Sequence, residues 1–310
     1  MAFDIPKYVR SCIAKPGSKI SLKKFSTECT HEDLSKTEAE KLLKTGLDRL
    51  GKMQDKLYAH DQYSILIIFQ AMDAAGKDST IKHVMSGLNP QGVRVNSFKV
   101  PSSTELDHDY FWRHYKELPP RGQIGIFNRS HYENVLVTKI HPEFILGENL
   151  PDINSLKDIT PAFWQSRYDQ INRFEKNLVQ NGTIILKFFL HLSKDEQKKR
   201  FFERIEDPTK NWKFSYADMK ERAYWDQYQE AYEEMINKTS TKDAPWFVVP
   251  ADDKWFTRVI IAAIIIGQFD KMDFEYPTVT KEQKEELIKA KAELLAEDNS
   301  SKTKKKKKKK

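Results

Sequence analysis

Ile65-Leu66-Ile67-Ile68-Phe69 is an apolar run, and it is followed at once by Ala71-Met72-Asp73-Ala74-Ala75-Gly76-Lys77-Asp78. Beyond it, Ile81, Val84, Met85 and Leu88 recur at i, i+3, i+4 and i+7, the spacing of one helix face. Strand, small-residue loop ending in Gly-Lys, then helix is the setting a phosphate-binding loop requires. The backbone N–H groups of such a loop converge on anionic oxygens, and the helix N-terminus adds positive potential. Ala74, Ala75, Gly76 and Lys77 are the expected phosphate cradle, with Lys77 reaching between phosphates. The bland alternative is a chance Gly-Lys turn at an ordinary helix start.

Two positions depart from the usual loop. Ala71 stands where a first glycine is common, and Asp78 stands where a magnesium-binding hydroxyl is common. Asp73 and Asp78 put two carboxylates into an anion cradle. That is unfavourable unless they hold a cation or a proton, so both are expected metal ligands.

The pattern downstream alternates strand and helix, which predicts an α/β fold with a parallel sheet covered on both faces. Expected strands are 64–70, 93–100, 123–128, 183–192 and 246–250. Expected helices are 37–58, 77–87, 103–118, 161–180, roughly 194–235, 254–269 and 281–297. Asn181-Gly182 reads as a helix C-cap feeding a buried strand. Four regions follow: an N-terminal extension and helix (1–60), a core (61–275) with a lid at about 194–225, a C-terminal helix (276–300) and a disordered lysine tail (301–310).

Ligands of open parallel sheets sit at the carboxyl ends of strands. The richest such end is Asn128-Arg129-Ser130-His131-Tyr132-Glu133. Asn128 occupies the place of a magnesium-holding Asp, Arg129 can fork across phosphoryl oxygens, and Glu133 can compensate for the missing carboxylate. Arg200 and Arg204 share a helix face before the Asp207-Pro208 break, as a cationic lid would need. Arg113 and Lys187 add two cations; a lysine within the apolar strand 184–190 must face an anion or the rim. Lys77, Arg113, Arg129, Lys187, Arg200 and Arg204 together exceed what one nucleotide requires, which points to a second, highly charged substrate.

Charge excludes one class. The formal net charge is +7, but Lys302 and Lys304–Lys310 supply eight positives and the remainder carries −1. A polyanion- or RNA-binding module that spreads contacts over a basic face is therefore disfavoured. The lysine run should be solvated and self-repelling, able to tether a polyanion. No apolar stretch nears the length of a membrane span, Cys12 and Cys29 lack metal-ligand spacing, and no N-terminal signal is visible, so a cytoplasmic chain is expected.

Residues 69–92 (FQAMDAAGKDSTIKHVMSGLNPQG), 111–137 (FWRHYKELPPRGQIGIFNRSHYENVLV), 186–215 (LKFFLHLSKDEQKKRFFERIEDPTKNWKFS) and 244–258 (APWFVVPADDKWFTR) together resemble the family-2 polyphosphate kinases. The resemblance implies a P-loop kinase-type three-layer α/β/α sandwich with a helical lid. It implies magnesium-dependent (or manganese-dependent) transfer of a terminal phosphoryl group from inorganic polyphosphate to a nucleotide. Asn128 with HYEN resembles the subgroup that takes both mono- and diphosphates, giving ADP and ATP from AMP, and the guanosine equivalents. By the same resemblance Asp73, Lys77, Asp78, Asn128, Arg129 and Glu133 are the catalytic set, with Arg200 and Arg204 as lid arginines. No nucleic acid or membrane partner is expected; a homo-oligomer, dimer or tetramer, is. The rival activity is an ATP-dependent nucleotide kinase on the same fold.

Overall fold

The computed structural model describes residues 5–28, 34–272 and 274–307, with side chains as far as 297. Cys29 and Lys308–Lys310 lie outside the described residues. The chain divides into two units, one up to Phe274 and one from Glu275.

The first unit is built on a sheet that, among the described residues, has six strands: β1 (Ile13–Ala14), β2 (Ser64–Ala71), β3 (Val93–Ser97), β4 (Ile124–Asn128), β5 (Thr183–His191) and β6 (Trp246–Pro250). Their order is β1-β6-β5-β2-β4-β3, parallel except for β1, which runs antiparallel to β6. From β2 the chain first visits β3 and β4 on one side, then crosses to β5 and β6 on the other. The reversal opens a crevice at the carboxyl end of β2, the place where open α/β sheets bind ligands.

Strand β2 is buried over all eight residues, so its apolar run does not show alternation. The pleat still sorts it. Ile65, Ile67 and Phe69 join one core with Leu50, Leu57, Ile81, Phe256 and Ile260. Leu66 and Ile68 join the other, with Tyr168, Ile171, Phe174, Tyr232 and Met235. Successive side chains point to opposite faces, and two cores on one strand make a three-layer α/β/α sandwich.

The first layer holds helices Lys36–His60 and Lys254–Met272, which pack on each other. Lys36–His60 begins at a Ser35–Glu38 capping box and stops at Asp61, whose φ of 50° is left-handed. The apolar Val259–Gly267 stretch lies within the second helix, buried between sheet and helix; no helix of the described residues is long and apolar enough to cross a membrane. The opposite layer holds Pro161–Gln180, capped by Thr160, and Trp225–Thr239. Gly182, at φ +89° after the Asn181 cap, has Gln62 O where a Cβ would come within 3.0 Å.

Four expectations change. The expected 103–118 helix is instead two short helices, Ser103–Leu106 and Trp112–Tyr115. The 1–60 region is not simply an extension before a helix: it has a helix at Ile5–Ser11, and β1 extends the sheet through Ile13↔Phe247. The expected 194–235 helix is instead Lys194–Glu206, a 3-10 turn at Asn211–Lys213, Tyr216–Glu221, another at Arg222–Tyr224, and Trp225–Thr239. Asp207-Pro208 ends the first piece, because proline disfavours helix at the residue before it. In the second unit the helix Lys281–Lys307 runs through seven positions of the expected disordered tail. Lysine is a good helix former, and cations near a helix C-terminus complement its dipole.

Lys187, within β5, is not at the phosphate site. Its Nζ is fully buried and donates to Glu175 Oε2 (2.6 Å), Thr239 O (2.8 Å) and Tyr132 Oη (2.9 Å), while Tyr132 donates to Glu175 Oε1 (2.6 Å). All three ammonium hydrogens are used, so Lys187 cannot bind polyphosphate; the anion it faces is Glu175. Burial by itself would raise the Glu175 carboxyl, but Lys187 and His131 override it and hold it low. Glu175→Ala should cost about 3–5 kcal/mol by stranding the Lys187 charge. Glu175→Leu with Lys187→Met should recover most of that, read from urea midpoints of the three proteins.

Candidate phosphate-transfer site

The loop between β2 and the Lys77–Val84 helix takes its shape from two left-handed residues, Ala74 (φ 62°) and Gly76 (φ 96°). Glycine adopts this region freely, whereas Ala74 pays about 1 kcal/mol or more. The strain is held from outside. Arg200 donates from Nη1 to Ala74 O (3.0 Å) and Ala75 O (2.8 Å), and from Nη2 to Ala251 O (2.7 Å) and Asp252 O (2.9 Å). Its Nε donates to Glu196 (2.9 Å).

Those five bonds occupy all five guanidinium hydrogens, and Arg200 is buried. The lid arginine expected to grip polyphosphate is therefore a strut beneath the loop. Since the peptide units are trans and planar, turning Ala75 O toward Arg200 aims the Gly76 N–H the other way. The Ala75 N–H closes a turn on Met72 O (3.3 Å), so its part in the cradle is to shape it rather than to face outward. Gln197, one turn before Arg200, donates to Asp73 O (2.9 Å) and completes the support.

Above the strut the expected residues converge. Lys77 Nζ donates to Ala71 O (2.9 Å), closing the loop across its mouth. Burial lowers the Lys77 ammonium, opposed by Asp73, Glu133 and Asp78. Parallel pairing of β2 with β4 sets Phe69 opposite Asn128 and brings the second motif alongside. Asn128 Nδ2 donates to Asp78 Oδ1 (2.5 Å) and to Ser97 Oγ (3.3 Å), which orients the carboxylate that replaces the usual hydroxyl. Arg129, itself left-handed at φ 63°, reaches Asp73 Oδ1 at 3.5 Å. Glu133 lies on the 3-10 helix His131–Val135; burial pushes its carboxyl up, while Arg129 and Lys77 pull it back.

The remaining cations differ. Arg113 sits over the Phe98 ring (5.2 Å), donates to Lys99 O (3.0 Å) and pairs with Glu105 (3.2 Å); it feels the charge of Glu133 from the rim. Arg204 donates to Lys213 O (3.3 Å) and meets Asp218 (3.5 Å), bridging two pieces of the lid. With Lys187 and Arg200 committed elsewhere, the cation surplus inferred from the sequence shrinks to four: Lys77, Arg113, Arg129 and Arg204.

Asp218 is the member that sequence reasoning missed. Burial and the Asp73 charge raise its carboxyl, against Arg204, Arg129 and Lys77, so a lid residue belongs to the same electrostatic cluster. Tyr228 and Tyr232 also face Glu133 and Asp73, and burial pushes both phenols up. Their i, i+4 spacing was visible in the sequence; their direction was not, since the helix boundaries of the lid were not.

A magnesium ion normally keeps several waters and takes one or two carboxylates plus substrate phosphates. Among the described residues no group of three or more acidic, His or Cys side chains could hold a metal alone. Asp73 and Asp78, flanking the loop, are the carboxylates that could serve such a shared site.

Arg200→Lys keeps the charge but loses the fork. Turnover should fall about 10–100-fold with little change in nucleotide KM, because the loop loses its support. A direct polyphosphate contact would instead appear as a raised, salt-sensitive KM for the donor. Glu133 gives a pH test. A carboxyl whose pKa is raised on folding stabilises the protein below its unfolded pKa and loses that contribution as pH rises through the folded value. Glu133→Gln should therefore raise the Tm of the ligand-free protein more at pH 8 than at pH 5.

The chain has counterparts among known proteins. A family model described as Polyphosphate kinase 2 (PPK2) matches residues 33–277. The ADP-polyphosphate phosphotransferase of Rhodopseudomonas palustris is 48% identical over 279 residues, 90% of this chain and 96% of that protein. The AMP/ADP-polyphosphate phosphotransferase of Meiothermus ruber is 43% identical over 265 residues, 85% and 93% of the two chains. The crystal structure of Polyphosphate Kinase 2 from Arthrobacter aurescens TC1 superposes with a TM-score of 0.79 at 36% identity, covering 89% of this chain and 97% of that one. This chain belongs to the polyphosphate kinase 2 family.

Proposed function

We infer that this chain transfers the terminal phosphoryl group of inorganic polyphosphate to nucleotides, AMP and ADP, and to the guanosine equivalents. The observation that carries the reading is the meeting of the Asp73–Asp78 loop with Asn128, Arg129 and Glu133 at the β2 crevice, in a polyphosphate kinase 2 chain.

In the transfer a terminal phosphate oxygen of the nucleotide attacks the last phosphorus of polyphosphate. The new P–O bond forms as the anhydride bond breaks, and the shortened polyphosphate leaves with the electron pair. A phosphate oxygen is already ionised at neutral pH, so no strong general base is needed. The chain's work is positioning and charge neutralisation. Lys77 supplies a charge at the loop mouth, and the Gly76 N–H adds a donor. Arg129 forks onto the transferring group, and Arg204 closes with the lid, which excludes water. Asn128 holds Asp78 in place. Magnesium, held by Asp73 and Asp78, would supply the charge that brings two polyanions together.

Acceptance of AMP rests on Asn128 and Glu133 and on the Meiothermus ruber relative, whose name includes AMP; the name of the Rhodopseudomonas palustris relative gives ADP alone. The ATP-dependent rival has no specific support. We expect a cytoplasmic enzyme that works as a dimer or tetramer. Incubation with magnesium, polyphosphate and AMP, without ATP, should yield ADP and then ATP by chromatography. ATP from ADP only would restrict the acceptor. Lys77→Ala should lower kcat by about 100-fold or more, with nucleotide affinity changed far less.

A further inference from the structure

The site assembled from the sheet and lid leaves one charged feature unused: Lys302 and Lys304–Lys310. Without these eight lysines the rest of the chain carries −1. A donor that brings one negative charge or more per phosphate therefore meets no long-range attraction from the body as a whole. The local cations Lys77, Arg129 and Arg204 each already face a carboxylate of the site, Lys77 with Asp73, Arg129 with Asp73 and Arg204 with Asp218. The positive field of this protein lies almost entirely in the lysine run.

The run also belongs to a structural unit separate from the sheet. Lys302 and Lys304–Lys307 lie at the end of the helix Lys281–Lys307 in the unit from Glu275. A block of like charges repels itself, and Lys302 with Lys304–Lys310 is such a block. An extended polyanion removes that repulsion and releases its own condensed counterions, a salt-dependent gain that grows with the number of charges neutralised. Covalent attachment then turns capture by the run into a raised local concentration at the site on the same chain.

We propose that the lysine run is a docking site for long-chain inorganic polyphosphate, which it holds while the distal end of the same molecule enters the Asp73–Asp78 loop. The inference rests on the donor reading above and adds a chain-length preference to it. A chain of three phosphates neutralises few of the eight lysines, so the gain grows with donor length.

The test compares the full chain with a variant carrying Gln at position 302 and at 304–310, which keeps the length and a similar helix propensity. The expected result is a KM for long-chain polyphosphate about 10-fold higher in the variant. kcat, and KM for tripolyphosphate, should be unchanged. Filter retention of long-chain polyphosphate by the full chain should fall steeply with salt, and the slope of log K on log salt should flatten by on the order of 5 in the variant. Equal KM values for the long donor would overturn the proposal. So would lysine-dependent binding of RNA or of anionic phosphatidylserine vesicles with an unchanged KM, since the run would then serve another polyanion. If the full chain turns over no polyphosphate, the donor reading fails. Filter retention then decides separately: lysine-dependent retention supports docking and its absence refutes it.

Discussion

The Arg200 guanidinium is the point on which the site depends. Its five donors join the loop carbonyls of Ala74 and Ala75, the end of β6 at Ala251 and Asp252, and Glu196 on its own helix. Loop, sheet and the root of the lid are thereby fixed by one side chain. Charge-assisted bonds to carbonyls are stronger than neutral ones and, in a buried setting, weakly screened. They also account for the left-handed Ala74, since a strained residue persists where its surroundings over-determine it. The loop is consequently shaped before any anion arrives, and the helix that shapes it is the one from which the lid departs. Movement of the lid root and geometry of the cradle are mechanically coupled.

A second buried cation does for the other motif what Arg200 does for the loop. Lys187 on β5 ties Glu175 of Pro161–Gln180, Tyr132 of the 3-10 helix and the Thr239 carbonyl into one network. Tyr132 sits beside Glu133 in sequence and three residues after the left-handed Arg129. A buried ion pair is seldom the most stable filling for a core. What this one does is fix the rotation of the 3-10 helix, which sets where Glu133 and Arg129 point. Both faces of the sheet thus serve the crevice, one through Arg200 and one through Lys187.

The fold was legible wherever a local pattern had one meaning. The apolar run of β2 and the Asn181-Gly182 cap each specify an element through local chemistry alone. The lid was less legible because its charged, aromatic sequence suits a helix throughout; only Asp207-Pro208 and the tertiary bonds of Arg204 and Asn211 break it up. β1 was illegible for a different reason: two residues carry no periodicity, and only the β6 edge makes them a strand. Within the site, the meeting of Lys77 with Asn128 follows from strand order, which the alternation of elements implies. The fates of Lys187 and Arg200 do not. A cation's sequence position says that it needs an anion or several carbonyls, but not whether the protein or the substrate provides them.

That distinction changes the electrostatic picture of the site. Asp73, Asp78, Glu133 and Asp218 are set against Lys77, Arg113, Arg129 and Arg204, a cluster close to balance rather than a basic funnel. A balanced cluster does not attract a polyanion from a distance, but its partners can be exchanged at close range. In the transfer inferred above, Arg129 would exchange Asp73 for a phosphoryl oxygen at little net cost, because one anion replaces another at nearly the same distance. Arg204 can do the same with Asp218. Each exchange frees a carboxylate beside the phosphates, and a freed carboxylate there is tolerable only with a cation to share. On the inferred function, attraction and neutralisation are therefore separate tasks, and the crevice by itself is suited to the second.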